Sequence, residues 1–265
     1  PSECRPMFHY RAKPYLQSLS EGVIASHTIK LFGIGESTME AHLRDQMNAM
    51  TNPTLAPYAK EGECELRVTA KAASDTEAQA LLQPTVAQMK ELFGDKVYGV
   101  DVPSLEFIVI QGLKDRGLTL GCAESCTGGL IAKRLTDVPG ASAVFKGGIV
   151  SYTNEVKENV LRVPEHLLTQ FGAVSAEVAA AMAQGARRRL DCDVALSSTG
   201  VAGPDRDEDG NEVGTMFVAI ATQEGTHVRA LHLGGRPMRE RLRTQTASHA
   251  FDLARRYLFG LRLDS

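Results

Sequence analysis

The sequence has no apolar run of about 18 residues, so it offers no candidate membrane span, and no signal-peptide pattern opens it. Both absences point to a cytoplasmic protein. It has no long basic run, and a net charge of only −3 argues against nucleic-acid binding driven by phosphate neutralisation. Its five cysteines (Cys4, Cys64, Cys122, Cys126 and Cys192) are odd in number and scattered, which suggests free thiols in a reducing compartment and no disulfide framework. None is spaced as C-x-x-C, and none of the seven histidines falls in H-E-x-x-H, so neither a metal nor another cofactor is expected. There is no internal repeat. The first residue is Pro1 and not methionine, so a processed start or a piece of a longer chain is expected.

What is present is the composition of an ordinary globular protein: 265 residues, 43% hydrophobic and 23% charged, enough for one large or two ordinary domains. Residues 1–20 mix proline, tyrosine and charge without a period and read as a lead-in. His27–Phe32 is a strand candidate ended by Gly33-Ile34-Gly35. Met39, Leu43, Met47 and Met50 recur at helical spacing until Asn52-Pro53 breaks the pattern. Glu63–Lys71 alternates, with Cys64, Leu66, Val68 and Ala70 on one face of a half-exposed strand. A helix over Thr76–Phe93, passing through Pro84, and a strand over Lys96–Val102 complete a β-α-β-α-β layer with one open sheet face.

Pro103-Ser104 is the expected boundary, dividing the chain into domains 1–103 and 104–265. Ser104 caps a helix closed by Gly117, and the strand Leu118–Glu124 runs into a helix near Gly128–Thr136. A strand over Gly148–Tyr152 and a helix from Asn154 follow. Ser175 caps the alanine-rich helix Ala176–Leu190, whose first turn carries Glu177 and whose last carries Arg187–Arg189, matching the helix dipole. Strands over Val194–Ser198, Gly214–Thr222 and Val228–Leu233 and a long last helix near Met238–Phe259 complete a three-layer α/β/α domain. The fold class is therefore α/β, a small domain followed by a larger one.

The stretch Leu118–Gly129 carries the chemistry. A serine ahead of a helix, Ser125, is either a plain N-cap or a nucleophile beside free backbone amides that could hold an anion. Its surroundings match neither G-x-S-x-G, since Ala123 and Thr127 replace the glycines, nor S-x-x-K, since Gly128 replaces the lysine. Cys126 is the rival nucleophile. A serine needs a base, and Tyr152 and Lys157 offer one if burial lowers the lysine's pKa. No G-x-G-x-x-G accompanies them, which argues against a nicotinamide oxidoreductase. The Gly200–Asp205 loop would let backbone approach a ligand. Asp205–Gly210 imitates the start of an EF-hand loop, but its twelfth position is Met216, so Arg206–Glu212 is read as a solvated loop. Of Arg236, Arg239, Arg241 and Arg243, one or two could reach a phosphate.

Five ordered motifs carry a resemblance: Ala123–Gly129, Phe145–Lys157, Gly172–Ser175, Gly200–Asp205 and Val213–Thr215. Together they resemble the CinA family, and more narrowly its C-terminal nicotinamide-nucleotide amidohydrolase domain. The first half resembles the family's KH-like middle domain. The opening residues to Met7 look like the tail of an N-terminal molybdopterin-binding-like domain, associated with ADP-ribose pyrophosphatase activity and otherwise absent from this chain. The resemblance implies hydrolysis of the carboxamide of nicotinamide mononucleotide to nicotinate mononucleotide and ammonia, in pyridine nucleotide recycling. It implies Ser125 as nucleophile with Tyr152 and Lys157 as partners. Substrate contacts are then expected from Glu124, Thr127, Gly128 and Gly129, and across the cleft from Asn154, Gly200, Gly203 and Arg239. The expected partner is a small nucleotide and a second copy in a homodimer, with no nucleic acid and no membrane. RNA binding does not follow from the KH likeness, because Gly33-Ile34-Gly35 is not a GXXG loop. A second reading, a catalytically silent nucleotide-binding or assembly domain, stays open.

Overall fold

The computed structural model describes residues 3–19, 22–60, 62–234 and 238–264. The chain divides into two compact units, Pro1–Asp101 and Val102–Ser265. After helical turns over Cys4–Met7, Phe8–Ala12 and Lys13–Ser18, the first unit runs β1 (Val23–Phe32), α1 (Glu36–Ala49), β2 (Thr54–Lys60), β3 (Glu63–Ala72), α2 (Asp75–Phe93) and β4 (Val97–Val100). Its antiparallel sheet has the order β2-β3-β1-β4. The alternation in β3 does what it promises: Cys64, Leu66, Val68 and Ala70 enter a core with Ile29, Leu31, Met39, Leu43, Leu82 and Met89. Ser74 caps α2 by accepting from the Glu77 amide at 3.3 Å.

The β-α-β-α-β order needs one correction, the additional strand β2. Pro57 and the exposed Tyr58, Ala59 and Lys60 hide its period, and the strand survives because it pairs only with β3 at the sheet's edge, where a proline is tolerated.

The second unit runs α3 (Leu105–Arg116), β5 (Leu120–Glu124), α4 (Leu130–Thr136), β6 (Phe145–Val150), α5 (Asn154–Asn159), α6 (Glu165–Phe171), α7 (Ala176–Leu190), β7 (Val194–Gly200), β8 (Thr215–Ala221), β9 (Thr226–His232) and α8 (Arg239–Leu258). The sheet order is β6-β5-β7-β8-β9; β5 runs parallel to both neighbours, and β8 and β9 are antiparallel additions. Helix α7 packs across one face, where its alanines Ala179 and Ala183 meet Ala219 and Ala221. Helix α8 lies against β7, β8 and the helices α3 and α4, so the unit has three layers. Ser104 and Gly117 bound α3 as its sequence signals say: the serine accepts from Phe107, and the glycine is left-handed at φ +63.

All five residues of β5 are buried, as a strand between two parallel neighbours requires. The chain leaves β5 toward β6 on one side and returns from β6 to β7 on the other. The carboxyl end of β5 is therefore the switch point at which open α/β sheets form a crevice. Ser125 is the next residue.

Candidate active site

Ser125 leaves β5 with its amide donating to the Ser198 carbonyl of β7 at 2.9 Å. The turn that follows is made by Gly128 and Gly129, whose φ values of +58 and +94 disfavour any other residue. A side chain at Gly128 would also meet the Arg243 guanidinium at 3.2 Å. The junction thus projects Ser125 at the sheet's crevice and closes the chain behind it.

Lys157 comes from α5, the short helix after β6, capped by Thr153 accepting from the Val156 amide at 3.4 Å. Its side chain turns inward until only 1% is exposed. There Nζ lies 3.3 Å from Ser125 Oγ, 3.0 Å from the Ser151 carbonyl oxygen and 3.5 Å from the Tyr152 carbonyl oxygen. Burial pushes the ammonium below its ordinary value, opposed only by the Cys126 thiol beside it. A neutral amine has two N–H donors and one lone pair. In that form the two carbonyls, which can only accept, would take both donors and leave the lone pair for the Ser125 hydroxyl proton.

Cys126 is a poor rival. It is buried, and desolvation pushes its thiol up to about 12, against the opposing pull of the Ser198 hydroxyl and the amides of Cys126 and Thr127. Burial therefore acts oppositely on neighbours: it raises the pKa of the thiol and lowers that of the amine.

Of the backbone amides expected to hold an anion beside Ser125, those from Gly128 to Ala132 are already engaged. Glu124, only 1% exposed, folds its carboxylate onto the start of α4 and accepts from the amides of Gly129 (3.0 Å), Ile131 (3.0 Å) and Ala132 (2.8 Å). Gly128 donates to the Ser125 carbonyl and Leu130 to that of Thr127. These five donors are met within the protein, and the cap also answers the helix dipole. Thr127 is fully buried, its hydroxyl 2.6 Å from that of Ser198. Glu124, Thr127, Gly128 and Gly129 accordingly build the junction and do not line the cavity in front of Ser125.

That cavity, of about 520 Å³, is walled by Ser125, Cys126 and Lys157, by Tyr152 and Asn154, by Thr199–Gly203, by Ala173 and Val174, and by Arg239. Of the residues from which substrate contacts were expected, Asn154, Gly200, Gly203 and Arg239 line this cavity. Gly200 must stay small, since a side chain there would lie 2.8 Å from the Thr215 carbonyl oxygen. Tyr152 is placed otherwise than expected of a catalytic phenol. It is 59% exposed, its hydroxyl accepts from Arg239 Nη2 at 3.0 Å, and its contact with Lys157 is through its carbonyl. The same guanidinium donates to the Gly203 carbonyl at 2.6 Å, so Arg239 ties the two sides of the cavity mouth.

Two readings of the surroundings change. Asp205 lines the cavity with the rest of its glycine-rich loop, and so do Arg206, Asp207 and Glu208, although Arg206–Glu212 read as a merely solvated loop. Asp207 accepts from the Asn211 amide (2.7 Å) and side chain (2.8 Å), closing the loop on itself. The only sequence signal was its adjacency to Gly200–Asp205. Of the arginines, Arg243 donates twice to the Thr127 carbonyl, at 3.2 and 2.7 Å, and Arg241 is exposed. Arg236 lies outside the described residues. Among the described residues no group of three or more His, Cys, Asp or Glu side chains could hold a metal, and no helix is long and apolar enough to cross a membrane.

Comparison with known proteins agrees with this architecture. Residues 103–258 match the family model of the CinA C-terminal domain, and residues 26–99 that of the damage-inducible protein CinA KH domain. A CinA-like protein of Dictyoglomus turgidum is 43% identical over 261 residues, covering 98% of this chain and 63% of that protein. Another, from Desulfovibrio desulfuricans, is 44% identical over 266 residues, covering 100% and 62%. The chain thus spans under two thirds of these relatives' length. Among solved structures, a competence-damaged protein (CinA) superfamily protein from Klebsiella pneumoniae superposes with a TM-score of 0.57 at 30% identity, over 59% of this chain and 96% of that one. A competence/damage inducible protein from Agrobacterium tumefaciens does so at 0.54 and 36%, over 57% and 94%.

Proposed function

The chain belongs to the CinA family, and from that premise and the Ser125–Lys157 geometry we propose that it is a nicotinamide mononucleotide amidohydrolase. One observation carries the reading: a fully buried lysine whose remaining hydrogen-bond capacity is aimed at a serine hydroxyl on the wall of a nucleotide-sized cavity. Lys157, neutral at rest, takes the Ser125 proton as Oγ bonds to the carboxamide carbon. The C–N bond then breaks, and the proton passes from Lys157 to the departing nitrogen, which leaves as ammonia. Water, deprotonated in turn by Lys157, cleaves the ester and restores the Ser125 hydroxyl, releasing the nicotinate nucleotide.

The tetrahedral oxyanion needs donors. In the turn 125–132 only the amides of Cys126 and Thr127 have no oxygen acceptor among the described residues, so they are the donors we assign. Arg239 is at the mouth, where a substrate phosphate would meet a guanidinium.

The test is ammonia release from nicotinamide mononucleotide by the wild type, Ser125→Ala, Lys157→Met and Cys126→Ala. Loss of roughly 10³-fold or more in the first two, with Cys126→Ala still active, is expected for a nucleophile and its base. A wild type that binds the nucleotide without releasing ammonia would favour a silent binding domain.

A further inference from the structure

Ser151 joins β6 to Tyr152 and is fully buried. Its amide donates to the Glu124 carbonyl at 2.8 Å, and its carbonyl accepts from Lys157 Nζ at 3.0 Å. Its hydroxyl hydrogen-bonds to no described residue. An unpartnered buried hydroxyl is a net cost, and such groups need a reason to persist. Here it belongs to the residue whose backbone holds the base.

The reason follows from counting hydrogens on Lys157. At rest the neutral amine has two, and the carbonyls of Ser151 and Tyr152 accept both. There is none left for the Ser151 hydroxyl. After taking the Ser125 proton the amine has three. Ser125 Oγ is by then bonded to the substrate carbon and is a weakened acceptor. The third N–H needs another partner until the leaving nitrogen collects it.

We propose that the Ser151 hydroxyl is that partner: a positioning residue that swings about χ1 to accept a hydrogen bond from the Lys157 ammonium once the serine has been deprotonated. This rests on the Ser125–Lys157 reading above. It makes the polar surroundings of the base change with its charge, the arrangement a proton carrier requires: no bond from the neutral amine to the hydroxyl, and a further acceptor whenever the amine is charged. The other titratable and charged groups around Lys157 are Cys126 in the serine's turn, Tyr152 and Arg239 at the mouth, the Asp205–Glu208 loop, and Glu155 and Glu158 on its own helix. No aspartate, glutamate or phenol side chain among them takes Nζ as a partner within hydrogen-bond reach.

The experiment compares the full chain with Ser151→Ala and Ser151→Thr. It reads kcat, KM, the pH profile, the melting temperature and the titration of the Lys157 side chain by NMR. For Ser151→Ala the expected result is an unchanged or raised melting temperature, an unchanged KM, and a loss in kcat of about ten- to hundred-fold, as for a hydrogen bond to a charged group. Threonine, which keeps the hydroxyl, should recover most of that kcat. Because the hydroxyl favours the charged amine, its removal should move the Lys157 titration, and the acid limb of the profile, to lower pH. Unchanged kcat and titration in Ser151→Ala would overturn the proposal. So would a loss of kcat and melting temperature together with an unmoved titration, since that marks a structural role only. If the wild type releases no ammonia, the amidohydrolase reading fails. The titration still decides Ser151 then: a lowered Lys157 pKa supports the pairing, and an unmoved one overturns it.

Discussion

Lys157 is the residue at which stability and chemistry pull against each other. Its pKa is depressed by burial, so between that value and the ordinary 10.5 the unfolded chain binds a proton that the folded chain does not. Stability therefore rises with pH through that window and levels off above it. Urea unfolding at a series of pH values should show the rise in the wild type and its loss in Lys157→Met; an equal slope in both would mean that the folded lysine is protonated. On the proposed mechanism, ammonia release should climb with pH over the same range as the amine loses its proton. Tyr152 makes the opposite case. Its hydroxyl engages Arg239 at the exposed rim, and the lysine touches only its carbonyl. Tyr152→Phe keeps that carbonyl, so kcat should stay within about ten-fold while KM rises as Arg239 loses an anchor. A loss in kcat near that of Lys157→Met would return the phenol to the chemistry.

At the scale of elements, the junction of β5 and α4 depends on one carboxylate. Glu124 accepts three amides at the head of a helix only seven residues long, which has little stability of its own. Glu124→Gln retains one good acceptor and loses the charge. It should cost about 1–3 kcal/mol in chemical denaturation, at the upper range of a helix cap because the site is buried. Wild-type stability in that variant would remove the cap from the account of how Ser125 is held. The same junction shows why a helix start read from sequence need not be a binding site: the protein had already supplied its own anion.

In the whole molecule each unit closes a core from its own residues, and every residue lining the cavity before Ser125 comes from the second unit. The solved relatives cover 57–59% of this chain with nearly all of their own length, a share near that of the second unit. A fragment of residues 102–265 should therefore fold cooperatively and keep a kcat for ammonia release within a few-fold of the full chain, roughly what separable domains predict. A fragment that folds but is inactive would give the first unit a part in the reaction.

Much of the architecture was legible along the chain because its signals are local. Alternation in Glu63–Lys71, the cap at Ser104, the left-handed Gly117 and the run Ser175–Leu190 each need only neighbours a few residues away. The strand Thr54–Lys60 was not legible, since its pattern is overridden by a proline that only an edge position excuses. At the site, sequence determined which side chains could do chemistry: Ser125, Cys126, Tyr152 and Lys157. Tertiary structure set their surroundings apart, through burial and direction. It sank Lys157 beneath Ser125, where desolvation lowers the pKa of an amine. It raised the Cys126 thiol by the same desolvation, turned the Tyr152 phenol to the rim, and spent the amides of α4 on Glu124. Desolvation and hydrogen-bond satisfaction depend on what surrounds a group in space, and residue order along the chain does not carry that.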